Sequence, residues 1–216
     1  MGIDWVRWHE TYDDPASILA RRLVVVRGFL DRALSEAPAE QDGRRQLISL
    51  CCGDGRDTLP VLAAHEAGRR VRAVLTELNP ELARQARTTA GSLDLPHVEV
   101  RTGDAGLADT YLDAAPAHVL LVCGVFANVP AEDMRRTVAA LPALLTEGGI
   151  VIWTRSHHEE PSDPSDEIRT CLKDQGFQEL AFSRPHDACF RVGMHRLTST
   201  TAPRQQLSGT RLFAFT

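Results

Sequence analysis

The stretch Leu47-Ile48-Ser49-Leu50-Cys51-Cys52-Gly53-Asp54-Gly55-Arg56-Asp57-Thr58 decides the fold. A short apolar run breaks into a turn with two glycines and passes into a helical pattern, which predicts a strand, a tight loop and a helix. Gly53 and Gly55 can adopt backbone angles closed to other residues and let a ligand approach the main chain. The start of the helix offers unpaired N–H groups to polar or anionic groups. The stretch predicts a loop that binds a nucleotide-like group, although such turns also occur as structure alone.

Length and charge set the class of protein. With 216 residues, 43% of them hydrophobic and 25% charged, the chain predicts one α/β domain with an extra N-terminal segment. We expect a helical cap segment at 1–40 and the main domain at 41–216. The net charge of −5 lacks the basic footprint of proteins that bind nucleic acid or anionic membranes. We find no signal peptide and no apolar run of about 20 residues, so we expect a cytoplasmic protein. Composition indicates no oligomeric state.

The five cysteines are odd in number and show neither a paired framework nor the spacing of zinc ligands. This pattern is typical of reduced thiols in the cytosol. We expect them to act as small buried hydrophobic residues.

The N-terminal segment combines an aromatic cluster with a predicted helix. The cluster contains Trp5, Trp8, His9 and Tyr12, which either pack on the domain or cover a pocket. Asp14 before Pro15 predicts the start of a helix that ends at Pro38. Its core-facing residues recur at helical spacing: Ile18, Leu19, Leu23, Val26, Leu30 and Leu34.

Strands and helices alternate after the glycine loop. We predict helices at 59–67, 79–91, 130–145 and 165–175, and strands at 71–76, 97–101, 118–123, 150–153, 177–182, 190–197 and 211–215. Gly148 and Gly149 are expected to stop the third of these helices, and residues 154–165 to form a polar loop. This alternation predicts right-handed crossovers and a mainly parallel sheet.

Polar residues follow the ends of the predicted strands, where open parallel sheets bind ligands. Glu77 ends the second strand about 20 residues past the glycine loop, and its two carboxylate oxygens suit the two hydroxyls of a ribose. Asp104 can accept a hydrogen bond from an exocyclic amine, and the main-chain N–H of Ala105 can reach a ring nitrogen. Gly124 allows the backbone to turn close to a ligand. A solvent-exposed loop acid is the alternative for Glu77.

Together these residues resemble the class I S-adenosylmethionine-dependent methyltransferases over roughly residues 46–197. The resemblance implies a Rossmann-like α/β fold, with a mostly parallel, seven-strand-type sheet and helices on both faces, and S-adenosylmethionine as cofactor. In that family an acid and alternating glycines end the first strand; here Ser49 replaces the acid and Cys51 the first glycine. The pattern also looks like methyltransferases of unassigned substrate from actinomycetes.

The resemblance also implies site residues. Those expected to bind the cofactor are Cys52, Gly53, Asp54, Gly55, Asp57, Thr58, Glu77, Leu78, Asp104, Ala105, Cys123, Gly124, Val125 and Asn128. Asp57 is a candidate to replace the missing contact of Ser49. The candidate catalytic residues are Tyr12, which could close the pocket, and His157 and His158 beyond the fifth strand, since histidine is the best base near neutral pH. A solvated loop pair is the alternative for the histidines.

The expected function is in-line transfer of a methyl group to a small molecule. No cluster of carboxylates follows the fourth strand, so we expect no metal. Three alternatives stay open: a non-catalytic protein that binds S-adenosylmethionine or S-adenosylhomocysteine, an enzyme that uses the sulfonium for another reaction, and an NAD(P)-dependent oxidoreductase. The dinucleotide fingerprint needs a third glycine, where this chain has Thr58. The acceptor atom is left open.

Overall fold

The structure is a computed structural model that describes residues 11–157, 162–198 and 206–216. Seven strands form one sheet in the order β3-β2-β1-β4-β5-β7-β6. They are β1 (Arg45–Leu50), β2 (Val71–Glu77), β3 (Val98–Thr102), β4 (Ala117–Val122), β5 (Leu145–Ser156), β6 (Phe177–Ser183) and β7 (Phe190–Leu197). Strands β1 to β5 are parallel, and β7 is antiparallel to both β5 and β6. The predicted fold class is therefore confirmed.

Within the described residues, five α-helices cover the sheet: α1 (Ile18–Glu36), α2 (Leu59–Ala64), α3 (Pro80–Ser92), α4 (Ala131–Leu144) and α5 (Ser165–Asp174). The predicted start of α3 is confirmed, because the Asn79 side chain accepts the N–H groups of Glu81 and Leu82. The predicted start of α1 is wrong. Ser17 caps this helix by accepting the N–H of Ala20, at 3.0 Å, whereas Asp14 accepts only the N–H of Ala16.

Helix α4 and strand β5 differ most from their predicted bounds. The helix ends at Leu144 and β5 follows directly, so Gly148 and Gly149 lie within the strand instead of stopping the helix. The strand also continues to Ser156, through residues predicted to be a loop, because it pairs with β7 as far as Ser156 opposite Phe190. A partner strand supplies the hydrogen bonds that the local sequence does not reveal.

Two other elements differ from the prediction. Helix α2 ends at Ala64, and a 3₁₀ turn at Gly68–Arg70 leads into β2. The predicted strand at 211–215 is wrong, since this region makes a single bridge, from Arg211 to Leu107. Residues 207–216, here called the strap, instead run across neighbouring loops.

The core lies on both faces of the sheet. On one face Ile48, Leu120 and Trp153 pack with α4, α5 and the strap. On the other, Leu47, Leu121 and Ile152 pack with α1, α2 and α3. Each fully buried side chain of this kind contributes about 1.5–3 kcal/mol. Because both faces of the sheet are covered, a ligand binds beyond the carboxyl ends of the strands.

In the described part of the chain, no helix combines the length and apolar character that crossing a membrane requires.

Candidate functional site

A cavity of about 680 Å³ opens at the carboxyl ends of the parallel strands. Its walls come from the loops after β1, β2, β3 and β4, from the end of β5, from α1 and from the strap. Nine of the predicted cofactor residues line it: Cys52, Asp57, Glu77, Leu78, Asp104, Ala105, Cys123, Gly124 and Asn128. The volume lies within the 300–1,000 Å³ that is usual for pockets binding small ligands.

Glu77 is fixed in the cavity wall by two backbone donors. Its Oε2 accepts the N–H of Gly53 and its Oε1 accepts the N–H of Asn79, each at 2.8 Å. The residue is 9% exposed, so it is not a solvated loop acid. Each carboxylate oxygen has two lone pairs. After these two bonds both oxygens can still accept a hydrogen bond from a pair of hydroxyl groups.

The loop after β1 depends on left-handed backbone angles. Gly53 has φ +58° and Gly55 φ +78°, and a Cβ on Gly55 would lie 2.5 Å from the Leu59 side chain. Cys51, at the position where a glycine was expected, has φ +54°. A side chain in this region costs roughly 1–2 kcal/mol. The loop therefore keeps the shape that glycine would allow, and the Cys51 side chain lines the cavity.

Five predicted cofactor residues do not line the cavity. Gly53 and Gly55 shape the loop behind its wall, and Asp54 pairs with Arg56 at 2.6 Å. Thr58 and Val125 are fully buried, and Val125 packs in the core. The two glycines thus contribute the turn of the loop, while their neighbours Cys51, Cys52 and Asp57 line the cavity.

Asp57 follows the second glycine of the loop by two residues, and it lines the cavity. Its carboxylate accepts a hydrogen bond from the Thr58 hydroxyl at 3.0 Å. Burial raises the pKa of the Asp57 carboxyl, and the charge of Arg22 opposes this rise. Ser49, in contrast, is fully buried below the loop, and its Oγ has no hydrogen-bond partner among the described residues.

The loop after β4 is held at Gly124. The Gly124 N–H donates to the Thr154 hydroxyl at 2.9 Å, and its carbonyl accepts from the Asn128 amide at 2.7 Å. Gly124 has φ +73°, so glycine suits the turn that brings this backbone to the cavity. Burial raises the pKa of the neighbouring Cys123 thiol, which is therefore neutral near pH 7.

Tyr12 lines the cavity together with two arginines that the sequence interpretation missed. The Tyr12 hydroxyl is hydrogen-bonded to Arg22, and the Arg56 guanidinium lies 4.8 Å from the Tyr12 ring centroid. Burial raises the pKa of Tyr12 against the opposing charge of Arg22, which keeps the phenol protonated near neutral pH. Arg22 is one helical turn before Val26 on the buried stripe of α1. A charged residue on this otherwise apolar helix face is the feature of the sequence that indicates a site residue at Arg22.

Of the two predicted histidines, the structure describes only His157, and His157 does not line the cavity as expected. The main-chain N–H of His157 donates to the carbonyl of Cys189, and His157 is not among the cavity-lining residues. His158 lies outside the described residues. Strand β5 extends further than predicted, and its last residues, Thr154, Arg155 and Ser156, line the cavity instead.

Across residues 11–157, 162–198 and 206–216, no group of three or more His, Cys, Asp or Glu side chains is arranged to hold a metal ion. The five cysteines are free thiols.

Comparison with known proteins adds a family match. Residues 48–149 match the model of a family described as a methyltransferase domain. This region contains the glycine loop, Glu77, Asp104 and the loop after β4. No match was found among curated proteins.

Solved structures share the fold at low sequence identity. An O-methyltransferase family protein from Burkholderia thailandensis has 16% identity and a TM-score of 0.65, over 88% of this chain and 59% of that one. Magnesium protoporphyrin IX methyltransferase from Synechocystis PCC 6803, solved with bound S-adenosylmethionine, has 15% identity and a TM-score of 0.63, over 89% and 90%. An rRNA methylase from Streptococcus thermophilus has 14% identity and a TM-score of 0.57, over 78% and 94%. The chain thus spans well under two thirds of the first of these proteins.

The residues around the cavity fit S-adenosylmethionine. Glu77 presents two free lone pairs for a diol, Asp104 presents a carboxylate beyond the next strand, and both charges needed for an amino-acid group are available in Asp57 and Arg22. The cavity also lies at the carboxyl edge, where this class of sheet binds its ligands. The fit of this cavity agrees with the similarity of residues 48–149 to the methyltransferase domain family.

Proposed function

We propose that this protein transfers a methyl group from S-adenosylmethionine to a small-molecule acceptor, in line and without a metal. The observation that carries the proposal is the Glu77 carboxylate. Two N–H groups hold it, each at 2.8 Å, in the wall of a cavity of about 680 Å³. A buried acid fixed in this way, next to a glycine loop, suits a ribose diol.

Four residues bind the adenosyl group in this proposal. Glu77 accepts hydrogen bonds from the two ribose hydroxyls, and Leu78, whose side chain lines the cavity, packs against the base. Asp104 accepts from the exocyclic amine, and the N–H of Ala105 donates to a ring nitrogen. The charge on each acid makes these hydrogen bonds about twice as strong as neutral ones.

Asp57 and Arg22, which both line the cavity, would hold the amino-acid end of the cofactor. Asp57 binds the ammonium group, in place of the acid that Ser49 lacks, and Arg22 binds the carboxylate. The Tyr12 hydroxyl accepts a hydrogen bond from the Arg22 guanidinium, and this bond, together with the buried position of Arg22 on the same helix face as Val26, positions Arg22. Tyr12 closes this end of the cavity as a neutral phenol.

The bound cofactor supplies an activated methyl group on a sulfonium. The protein contributes alignment of the acceptor and exclusion of water, which can account for most of the rate of such a displacement. The described residues around the cavity include no histidine, so the proposal assigns no general base to His157. His158 stays a candidate for an acceptor that arrives protonated.

The chain's charge favours a small acceptor over a nucleic acid. Proteins that bind a polyanion carry basic patches, whereas this chain has a net charge of −5. We further propose that residues 1–40 act as a cap on the domain at 41–216 and that the protein works in the cytoplasm. Its likeness to actinomycete methyltransferases stays a prediction.

Calorimetry with the full chain tests cofactor binding. We expect S-adenosylmethionine and S-adenosylhomocysteine to bind with dissociation constants in the micromolar range. Failure of both to bind would contradict the proposal.

Release of S-adenosylhomocysteine tests the acceptor. We would screen small phenols, carboxylic acids, amines and thiols, with ribosomal RNA as a separate arm. We expect release with at least one small compound and none with RNA. Methylation of RNA would contradict the small-molecule acceptor, and binding without release in every arm would favour a non-catalytic binding protein.

A further inference from the structure

The strap, residues 207–216, is tied to the loops that follow β3 and β4. On the β3 side the Leu212 N–H donates to the Gly106 carbonyl at 2.8 Å, and the Ala108 N–H donates to the Thr210 carbonyl at 3.1 Å. On the β4 side the Thr216 N–H donates to the Asn128 carbonyl at 3.1 Å. The strap therefore connects two loops that both line the cavity.

The strap is also fixed by packing. Leu207, Leu212 and Phe213 are each at most 3% exposed and belong to the core cluster of α4 and α5. A Cβ on Gly106 would lie 2.1 Å from the Phe213 carbonyl oxygen, so the two backbones touch. Phe213, Ala214 and Phe215 line the cavity. The strap is thus a packed part of the cavity wall.

One strap residue reaches the acid assigned to the adenine. Arg211 Nη1 donates to Asp104 Oδ2 at 2.8 Å, while Asp104 Oδ1 accepts the Gly106 N–H at 2.8 Å. The Arg211 and Asp104 side chains are 47% and 37% exposed, and an ion pair this open contributes little to stability. Its effect lies in geometry, because two donors from fixed elements set the rotation of the carboxylate and leave a lone pair on each oxygen.

We propose that Arg211 is a positioning residue for adenine recognition. It holds the Asp104 carboxylate so that one oxygen accepts a hydrogen bond from the exocyclic amine of the cofactor. The strap thereby makes the site selective for a purine that carries an amine over one that carries a carbonyl at the same place. This inference rests on the proposed function, since it takes the cavity to hold S-adenosylmethionine.

The test compares two ligands that differ only at that position of the base. S-Adenosylhomocysteine carries the amine, and S-inosylhomocysteine carries a carbonyl oxygen that would face the carboxylate. Calorimetry on the full chain gives the ratio of their dissociation constants. We expect the wild-type protein to prefer the adenosyl ligand at least tenfold, and Arg211→Ala to reduce that ratio by roughly tenfold, since hydrogen bonds to charged groups are worth about that much.

Matched variants separate positioning from general damage. Arg211→Lys keeps the charge and should retain most of the ratio, whereas Arg211→Gln should behave like Arg211→Ala. Arg69→Ala removes an exposed arginine of an ion pair away from the cavity and should leave the ratio unchanged. Thermal unfolding shows whether each variant is folded.

Three results would overturn the inference. The first is that Arg211→Ala keeps the wild-type ratio of the two dissociation constants. The second is that the wild-type protein binds both ligands equally well. The third is that neither Arg211→Ala nor Arg211→Gln folds, which would make Arg211 a residue needed for folding. Binding of neither ligand to the wild-type protein would instead overturn the proposed function.

Discussion

At the scale of single residues, the site depends on side chains held by backbone donors. The carboxylate of Glu77 accepts one N–H from the loop after β1 and one from the start of α3. It therefore joins two elements and faces the cavity at the same time. Asp104 has a similar arrangement, with one backbone donor and one arginine. Such carboxylates are oriented before a ligand arrives, which reduces the entropy lost on binding.

Glu77→Gln should weaken binding of S-adenosylhomocysteine about tenfold to a hundredfold. The amide loses the charge and turns an NH₂ group toward one of the two N–H donors, and hydrogen bonds to charged groups contribute about 1.5–3 kcal/mol. Calorimetry on the two proteins measures the change. Glu81→Gln is the matched control, because Glu81 lies on the exposed side of α3, with its side chain 44% exposed. Wild-type affinity in Glu77→Gln would contradict the role of Glu77.

Tyr12→Phe should weaken cofactor binding or slow turnover by several-fold. The substitution removes the hydroxyl that is bonded to Arg22 and keeps the ring beneath Arg56. Lost positioning of Arg22 is the physical reason. Measurements of the dissociation constant and of the rate of S-adenosylhomocysteine release would reveal it, and wild-type values of both would refute the role of Tyr12.

At the scale of elements, the pair formed by β5 and β7 supports the part of the cavity wall that the end of β5 provides. Gly193 of β7 lies opposite Trp153 of β5, and a Cβ on Gly193 would come within 2.3 Å of the indole ring. Trp153 is fully buried and also contacts Phe126, Phe182 and His195. The indole thus has no room to move, and the strand needs glycine at this point.

Gly193→Ala should destabilise the protein by about 1–3 kcal/mol, which is the usual cost of overpacking a core. Urea unfolding followed by circular dichroism gives the change in the free energy of unfolding. Gly28→Ala is the control, since none of the described residues has an atom within 4 Å of a Cβ added there on α1. It should stabilise the helix by about 0.5–1 kcal/mol. Equal stability of the Gly193→Ala and wild-type proteins would contradict the packing argument.

At the scale of the whole molecule, two buried groups make the fold sensitive to acid. Burial lowers the pKa of His195 from 6.5 to about 4, although the nearby Glu179 carboxylate opposes the shift. Its Nδ1 accepts the Trp153 indole N–H at 3.3 Å. Hydrogen bonds from Ser165 and Arg191 hold the pKa of Asp163 at about 2, against the effect of burial. Asp163 lies between β5 and α5, where it pairs with Arg191 at 2.6 Å.

Protonation of His195 and protonation of Asp163 both lower the stability of the fold as the pH falls. The unfolded chain protonates His195 below pH 6.5 while the folded protein resists until about pH 4, so stability falls as the pH drops through this window. The stability supplied by Asp163 is present above pH 3.8 and is lost as the pH falls toward 2. Acidification should therefore weaken the fold in two successive ranges.

His195→Asn should remove the loss of stability that protonation of His195 causes between pH 6.5 and about pH 4. Asparagine keeps an acceptor for the Trp153 indole but does not titrate. Between pH 7 and 4.5 the Tm of the variant should fall less than that of the wild-type protein, with a difference in stability of at most about 3 kcal/mol. Thermal unfolding at several pH values measures this, and parallel curves for the two proteins would contradict it.

Much of the site could be predicted because strand ends are local features. Glu77, Asp104 and Gly124 each follow a clear apolar run, and parallel strands place their carboxyl ends at one edge. Arg22, Arg56 and the strap were missed, since their approach to the cavity depends on contacts between segments far apart in the chain. His157 follows the fifth strand directly, as predicted, but it is not among the cavity-lining residues, because pairing with β7 extends β5 to Ser156.

The sequence by itself determined the class of fold, the glycine loop and the acid at the end of β2 that lines the cavity, because each follows from local periodicity and from residues that only certain backbone angles accept. Tertiary structure decided which side chains reach the cavity. Cys51 takes a left-handed angle that its neighbours impose, Arg22 turns from a helix toward Tyr12, and Arg211 crosses to Asp104. These contacts join residues distant in sequence, and packing and charge select them once the sheet has formed.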